Sequence, residues 1–98
     1  MKVVNIKSGD PYDLYCGREN KSYGLKQSKW ANPYIIGEYT RDESCDLYEQ
    51  YVRNGPLWND LEELDGLTLA CWCGENQRCH VKILINLLNE KKLSSMFN

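Results

Sequence analysis

The sequence predicts one α/β domain over residues 1–98, a small, largely parallel sheet with helices packed on it. Three observations carry this. The run Leu67-Thr68-Leu69-Ala70-Cys71-Trp72-Cys73 is continuously apolar, which suits a strand buried on both faces, as parallel strands are. Val81, Leu84, Ile85 and Leu88 follow at i, i+3, i+4 and i+7, so a helix is expected from Cys79 or His80 onward, packed against that strand. Thr40 with Glu43 forms a capping box, and Leu47, Tyr48, Tyr51 and Val52 supply an apolar face until Asn54-Gly55-Pro56 ends the helix.

The remaining elements fit between these. Val3-Val4-Asn5-Ile6 and Leu14-Tyr15-Cys16 are short apolar stretches separated by Ser8-Gly9-Asp10-Pro11, which is turn chemistry, and both are expected as strands. Leu57, Trp58, Leu61 and Leu64 suggest a short helical segment ending at Asp65-Gly66. Gly74-Glu75-Asn76-Gln77 reads as a loop. The order strand, strand, loop, helix, short helix, strand, helix is Rossmann-like in layout, with no repeat and no long linker.

Composition limits what this domain can do. The chain has 98 residues and a formal charge of -2 with acidic and basic residues interspersed, so general nucleic-acid binding is disfavoured; a basic pocket is still compatible. Nothing near the N-terminus resembles a signal peptide, and no apolar run approaches the roughly 18 residues of a membrane span, so no membrane association and a cytoplasmic location are expected. Five cysteines in a reducing compartment read as buried thiols, metal ligands or reactive groups rather than a disulfide framework.

Three of those cysteines and the sole histidine fall within Cys71-Trp72-Cys73 and Cys79-His80. This places them at a strand C-terminus facing a helix N-terminus, where α/β sheets bind ligands and where backbone N–H groups and the helix dipole favour an anion. The same setting lowers a thiol pKa, which makes Cys79 a candidate nucleophile and His80 a candidate acid or base. Cys73, Cys79 and His80 are thus candidate ligand-binding residues. The structural alternative is that Cys71 and Cys73 fill core space, while Cys79 caps the helix and His80 bonds a backbone carbonyl. No cofactor is expected. Zinc on Cys71, Cys73, Cys79 and His80 is the less favoured alternative, because C-x-C on a buried strand with an adjacent Cys-His is unlike the usual separated ligand pairs.

The segment from Gly17 to Gly37 has no period, and a pattern-free stretch of about 20 residues in a small domain is often functional. Arg18 at a strand end offers a guanidinium fork for phosphate or carboxylate, with a surface salt bridge as its alternative. Trp30 offers a stacking face, with a core anchor as its alternative. Asn32 offers a donor and an acceptor for a polar ring edge; otherwise Asn32-Pro33 is a turn. Arg41 is a weaker candidate, since a first helical turn disfavours a cation that lacks an anionic partner.

Val3-Val4-Asn5-Ile6, Tyr15-Cys16-Gly17-Arg18, Ser28-Lys29-Trp30-Ala31-Asn32-Pro33-Tyr34, Leu69-Ala70-Cys71-Trp72-Cys73 and Cys79-His80 together resemble DUF4326, a family of small α/β proteins of unknown function. The C-terminal strand, loop and Cys-His helix resemble the broader DUF488 group. The resemblance implies the fold but no settled activity. Members of the family usually continue Cys-His-Gly-Asp, whereas Val81-Lys82 follow here, which weakens an enzymatic reading that needs that acid.

The preferred expectation is a protein that binds a phosphorylated or nucleotide-like small molecule, sequestering or processing it, through Arg18, Trp30, Asn32, Cys73, Cys79 and His80. The alternatives are a Cys/His-dependent transferase or hydrolase on a nucleotide-type substrate, and a phage-type inhibitor acting on a protein partner.

Overall fold

In the computed structural model, residues 2–35, 37–73 and 77–96 are described. The apolar run becomes the central strand of a three-stranded, all-parallel sheet. Strand β1 is Lys2–Asn5, β2 is Leu14–Tyr15 and β3 is Thr68–Cys71. The sheet order is β1-β3-β2; Val3 is opposite Leu69, Val4 and Tyr15 are both opposite Ala70, and Asn5 is opposite Cys71.

The strands are shorter than the apolar runs. Ile6 leaves β1 because Asn5 accepts from the Lys7 N–H and opens a 3-10 turn at Ile6–Ser8, closed by Gly9 in the left-handed region. Cys16 lies beyond β2, yet its N–H still donates to the Ala70 carbonyl at 3.0 Å. Trp72 and Cys73 run past the end of β3 and project from the sheet's C-terminal edge. Of the loop expected at Gly74-Glu75-Asn76-Gln77, only Gln77 lies within the described residues.

Alternation along β3 divides the interior. Leu69 and Cys71 enter the main core, with the helices; Ala70 enters a smaller cluster with Val4 and Tyr15 on the other face. The helices therefore share one face of the sheet. The opposite face is covered by Ile6, Leu25 and Trp72.

Helix α1, Arg41–Asn54, begins with the expected capping box: Thr40 Oγ1 accepts from the Glu43 N–H, and Glu43 accepts from the Thr40 N–H. Its buried stripe is Ser44, Cys45, Tyr48 and Val52. This is rotated from the expected face, leaving Leu47 and Tyr51 at 36% and 41% exposure. Small Ser44 and Cys45 permit the rotation, since they let the first turns lie close to the preceding loop. A 3-10 segment, Pro56–Leu64, buries Leu57, Leu61 and Leu64, and helix α2, His80–Met96, buries Val81, Ile83, Leu84, Leu87 and Leu88. No helix among the described residues is long and apolar enough to cross a membrane.

The patternless segment is held by specific bonds. Trp30 is 2% exposed in the main core, where the buried Tyr48 hydroxyl donates to its carbonyl at 2.7 Å. Asn32 Nδ2 donates to Ser44 Oγ, and Asn32 Oδ1 accepts from the Tyr34 N–H, so the turn at Asn32-Pro33 is fastened to α1.

Candidate functional site

Parallel pairing brings the C-terminal ends of β2 and β3 to one edge, and α2 begins beside them. Between them lies a cavity of 280 Å³. Gly17 is required at its floor: a Cβ there would stand 2.3 Å from the Tyr15 hydroxyl. That hydroxyl accepts from Trp72 Nε1 at 2.7 Å and donates to the Arg18 carbonyl at 2.6 Å, locking the exit of β2 to the exit of β3.

Arg18, Asn32, Cys73 and His80, four of the expected site residues, line this cavity. Arg18 Nε donates to the Asn32 carbonyl at 3.2 Å. Both polar ends of the Asn32 side chain are engaged within the protein, so Asn32 shapes the wall more than it reads a ligand. His80 Nε2 lies 2.6 Å from the Cys16 carbonyl. A carbonyl only accepts, so Nε2 carries the proton and Nδ1 is the acceptor. Burial holds the imidazole below its usual pKa, keeping it neutral at neutral pH.

Trp30 and Cys79 do not line the cavity. The core-anchor alternative describes Trp30, whose ring carries Lys29 Nζ at 5.3 Å from its centre. Tyr34, Ser44 and Trp72 stand on the wall instead. Trp72 was visible in the sequence as part of the strand; alternation opposite Cys71 and Cys73 is the signal that places it on the other face. Tyr34 and Ser44 reach the wall only through the packing of the loop on α1.

The sulfurs of Cys71, Cys73 and Cys79 all lie within 4.8 Å of one another, a group that can hold a metal ion; His80 is not part of it. All five cysteines are free thiols. Cys79 donates to Cys71 Sγ at 3.4 Å, and this bond, with a further one to Cys73 and burial, pushes its thiol far up. A nucleophile needs thiolate character and access, and Cys79 is 1% exposed. Cys73 is held well below the usual thiol range by bonds from Cys71 and Cys79 and by Arg41, whose Nη1 lies 3.5 Å away. Arg41, in the first turn of α1, thus has a sulfur acceptor as its partner.

The other two arginines are paired with carboxylates: Arg53 with Glu49 and Glu90, and Arg78 with Asp42 and Asp46. Among the described residues Arg18 and Arg41 have no carboxylate partner. Glu19 is the one carboxylate among the described lining residues.

The fold and site define a small α/β domain with a cavity at the ends of parallel strands. The sequence profile of the domain of unknown function DUF4326 matches residues 4–90, and the chain belongs to that family. It is similar to the uncharacterized protein R718 of Acanthamoeba polyphaga mimivirus, 35% identical over 85 residues that cover 76% of this chain. The match spans 65% of that relative's length. No solved structure matches the chain.

Proposed function

We propose that the strand-end cavity binds a phosphorylated, nucleotide-like small molecule. The observation that carries this reading is Arg18, a guanidinium without a carboxylate partner among the described residues, on the wall of a cavity that also presents aromatic Tyr34 and Trp72. A guanidinium fork matches phosphate oxygens, and aromatic faces suit a planar base. Small-molecule sites usually occupy about 300–1,000 Å³. At 280 Å³ the cavity suits a ligand no larger than a mononucleotide.

The test is a thermal-shift and native mass spectrometry series with nucleoside monophosphates, inorganic phosphate and unphosphorylated nucleosides. Binding should raise the melting temperature by mass action, and Arg18→Met should abolish the gain for phosphorylated compounds. Equal shifts for nucleosides and nucleotides, or an undiminished shift in Arg18→Met, would overturn the reading. Recovery of the compound intact marks a binding protein; conversion marks an enzyme.

A further inference from the structure

The sulfurs of Cys71, Cys73 and Cys79 lie within 4.8 Å of one another. The Arg41 guanidinium donates to Cys73 at 3.5 Å, and a cationic donor suits a thiolate, which only accepts. The Cys79 carbonyl accepts from the Ile83 N–H, so Cys79 stands at the N-cap of α2. With thiols alone the group must use its own protons, as in the 3.4 Å contact from Cys79 to Cys71.

We propose that Cys71, Cys73 and Cys79 bind a soft divalent cation of the Zn²⁺ class through three thiolates, leaving the fourth coordination position open toward the strand-end cavity. Tetrahedral coordination at a Zn–S distance of about 2.3 Å spaces sulfurs by roughly 3.8 Å. The observed group, with the Cys79 and Cys71 sulfurs 3.4 Å apart and no pair beyond 4.8 Å, needs only small rotamer adjustments to reach that spacing. Soft sulfur donors select such a cation over Mg²⁺ or Ca²⁺. Three thiolates and a dication leave one negative charge, which Arg41 offsets. Binding releases the remaining thiol protons to solvent.

His80 is not part of the sulfur group, and its Nε2 is taken up by the Cys16 carbonyl. Cys71 and Cys73 line both the strand-end cavity and a second one beside β1, which gives the ion a route to the sulfurs. A three-ligand site with an open position is the arrangement of zinc centres that take a water or a substrate atom as fourth ligand.

The experiment uses the reduced, chelator-treated full chain without nucleotide, so its result is independent of the proposed ligand. Titration with Co²⁺ should give one equivalent of bound ion with thiolate-to-metal charge-transfer absorption, displaced by Zn²⁺. Cys73→Ala and Cys71→Ala should each weaken Zn²⁺ binding more than tenfold, and Arg41→Met, which removes an outer-shell donor, by about 10–100-fold. Cys45→Ser should bind as the wild type does. Because a cysteine variant can fail to fold, zinc-edge X-ray absorption on the wild type supplies a second reading: three sulfurs at about 2.3 Å and one lighter donor are expected. Coordination by light atoms alone, no charge-transfer band, or equal loss in Cys45→Ser would each overturn the proposal.

Discussion

His80 Nε2 and the Cys16 carbonyl lie 2.6 Å apart across 64 residues of sequence, joining the first residue of α2 to the first residue past β2. The ring also meets Tyr48 edge-on, with centroids 5.1 Å apart, so one imidazole ties the sheet edge, α1 and α2 together beside the cavity.

Loss of that bond should be felt in folding. His80→Ala leaves the Cys16 carbonyl without its partner in a buried setting, a cost of about 1–3 kcal/mol. Urea denaturation should show a lower midpoint at unchanged slope; a midpoint equal to the wild type would mean that the contact is incidental.

Gly17→Ala tests the locked floor of the cavity. The added methyl would meet the Tyr15 hydroxyl at 2.3 Å and its ring carbon at 2.6 Å, so the Tyr15 bonds to Trp72 and Arg18 must give way. Overpacking of this kind costs about 1–3 kcal/mol. A thermal melt indistinguishable from the wild type would show that the loop moves aside freely.

Trp30→Ala should be among the most damaging substitutions, at about 3–5 kcal/mol, because it empties a large core site. Trp30→Phe should keep the fold and leave ligand-induced thermal shifts at the cavity unchanged, since the ring is in the core rather than on the wall. A shift lost in Trp30→Phe would return this residue to the binding surface.

The capping box at α1 sets an acid-dependent contribution. Thr40→Ala should cost about 1 kcal/mol. The bond from the Thr40 backbone N–H holds the Glu43 carboxyl below its ordinary value of 4.5. A lowered folded pKa means that the unfolded chain binds the proton more readily, so this stabilisation is whole above pH 4.5 and is lost as pH falls through the lowered value. The melting-temperature difference between wild type and Glu43→Gln should therefore narrow below that pH; a constant difference would remove the box as its source.

Much of the architecture was legible because its signals are short-range. The Thr40–Glu43 box needs three residues of separation, the face of α2 needs a 3.6-residue period, and the buried run of β3 is contiguous. The face of α1 was read less well. Leu47 and Tyr51 carry the hydrophobic pattern, but burial went to Ser44 and Cys45, whose small size matters only once the loop packs on the helix.

By itself the sequence determined the α/β class, the parallel strand ends as the place of the candidate site, and the gathering of Arg18, Asn32, Cys73 and His80 there. Tertiary structure alone decided how the sulfurs are partnered, because Arg41 reaches Cys73 across 32 residues of sequence while Cys79 donates to Cys71. It also sent Trp30 inward and put Trp72 and Tyr34 on the wall. The physical reason is range: periodicity and capping act between near neighbours and can be read in order, whereas charge state and exposure follow from which distant groups the packing brings within a few ångströms.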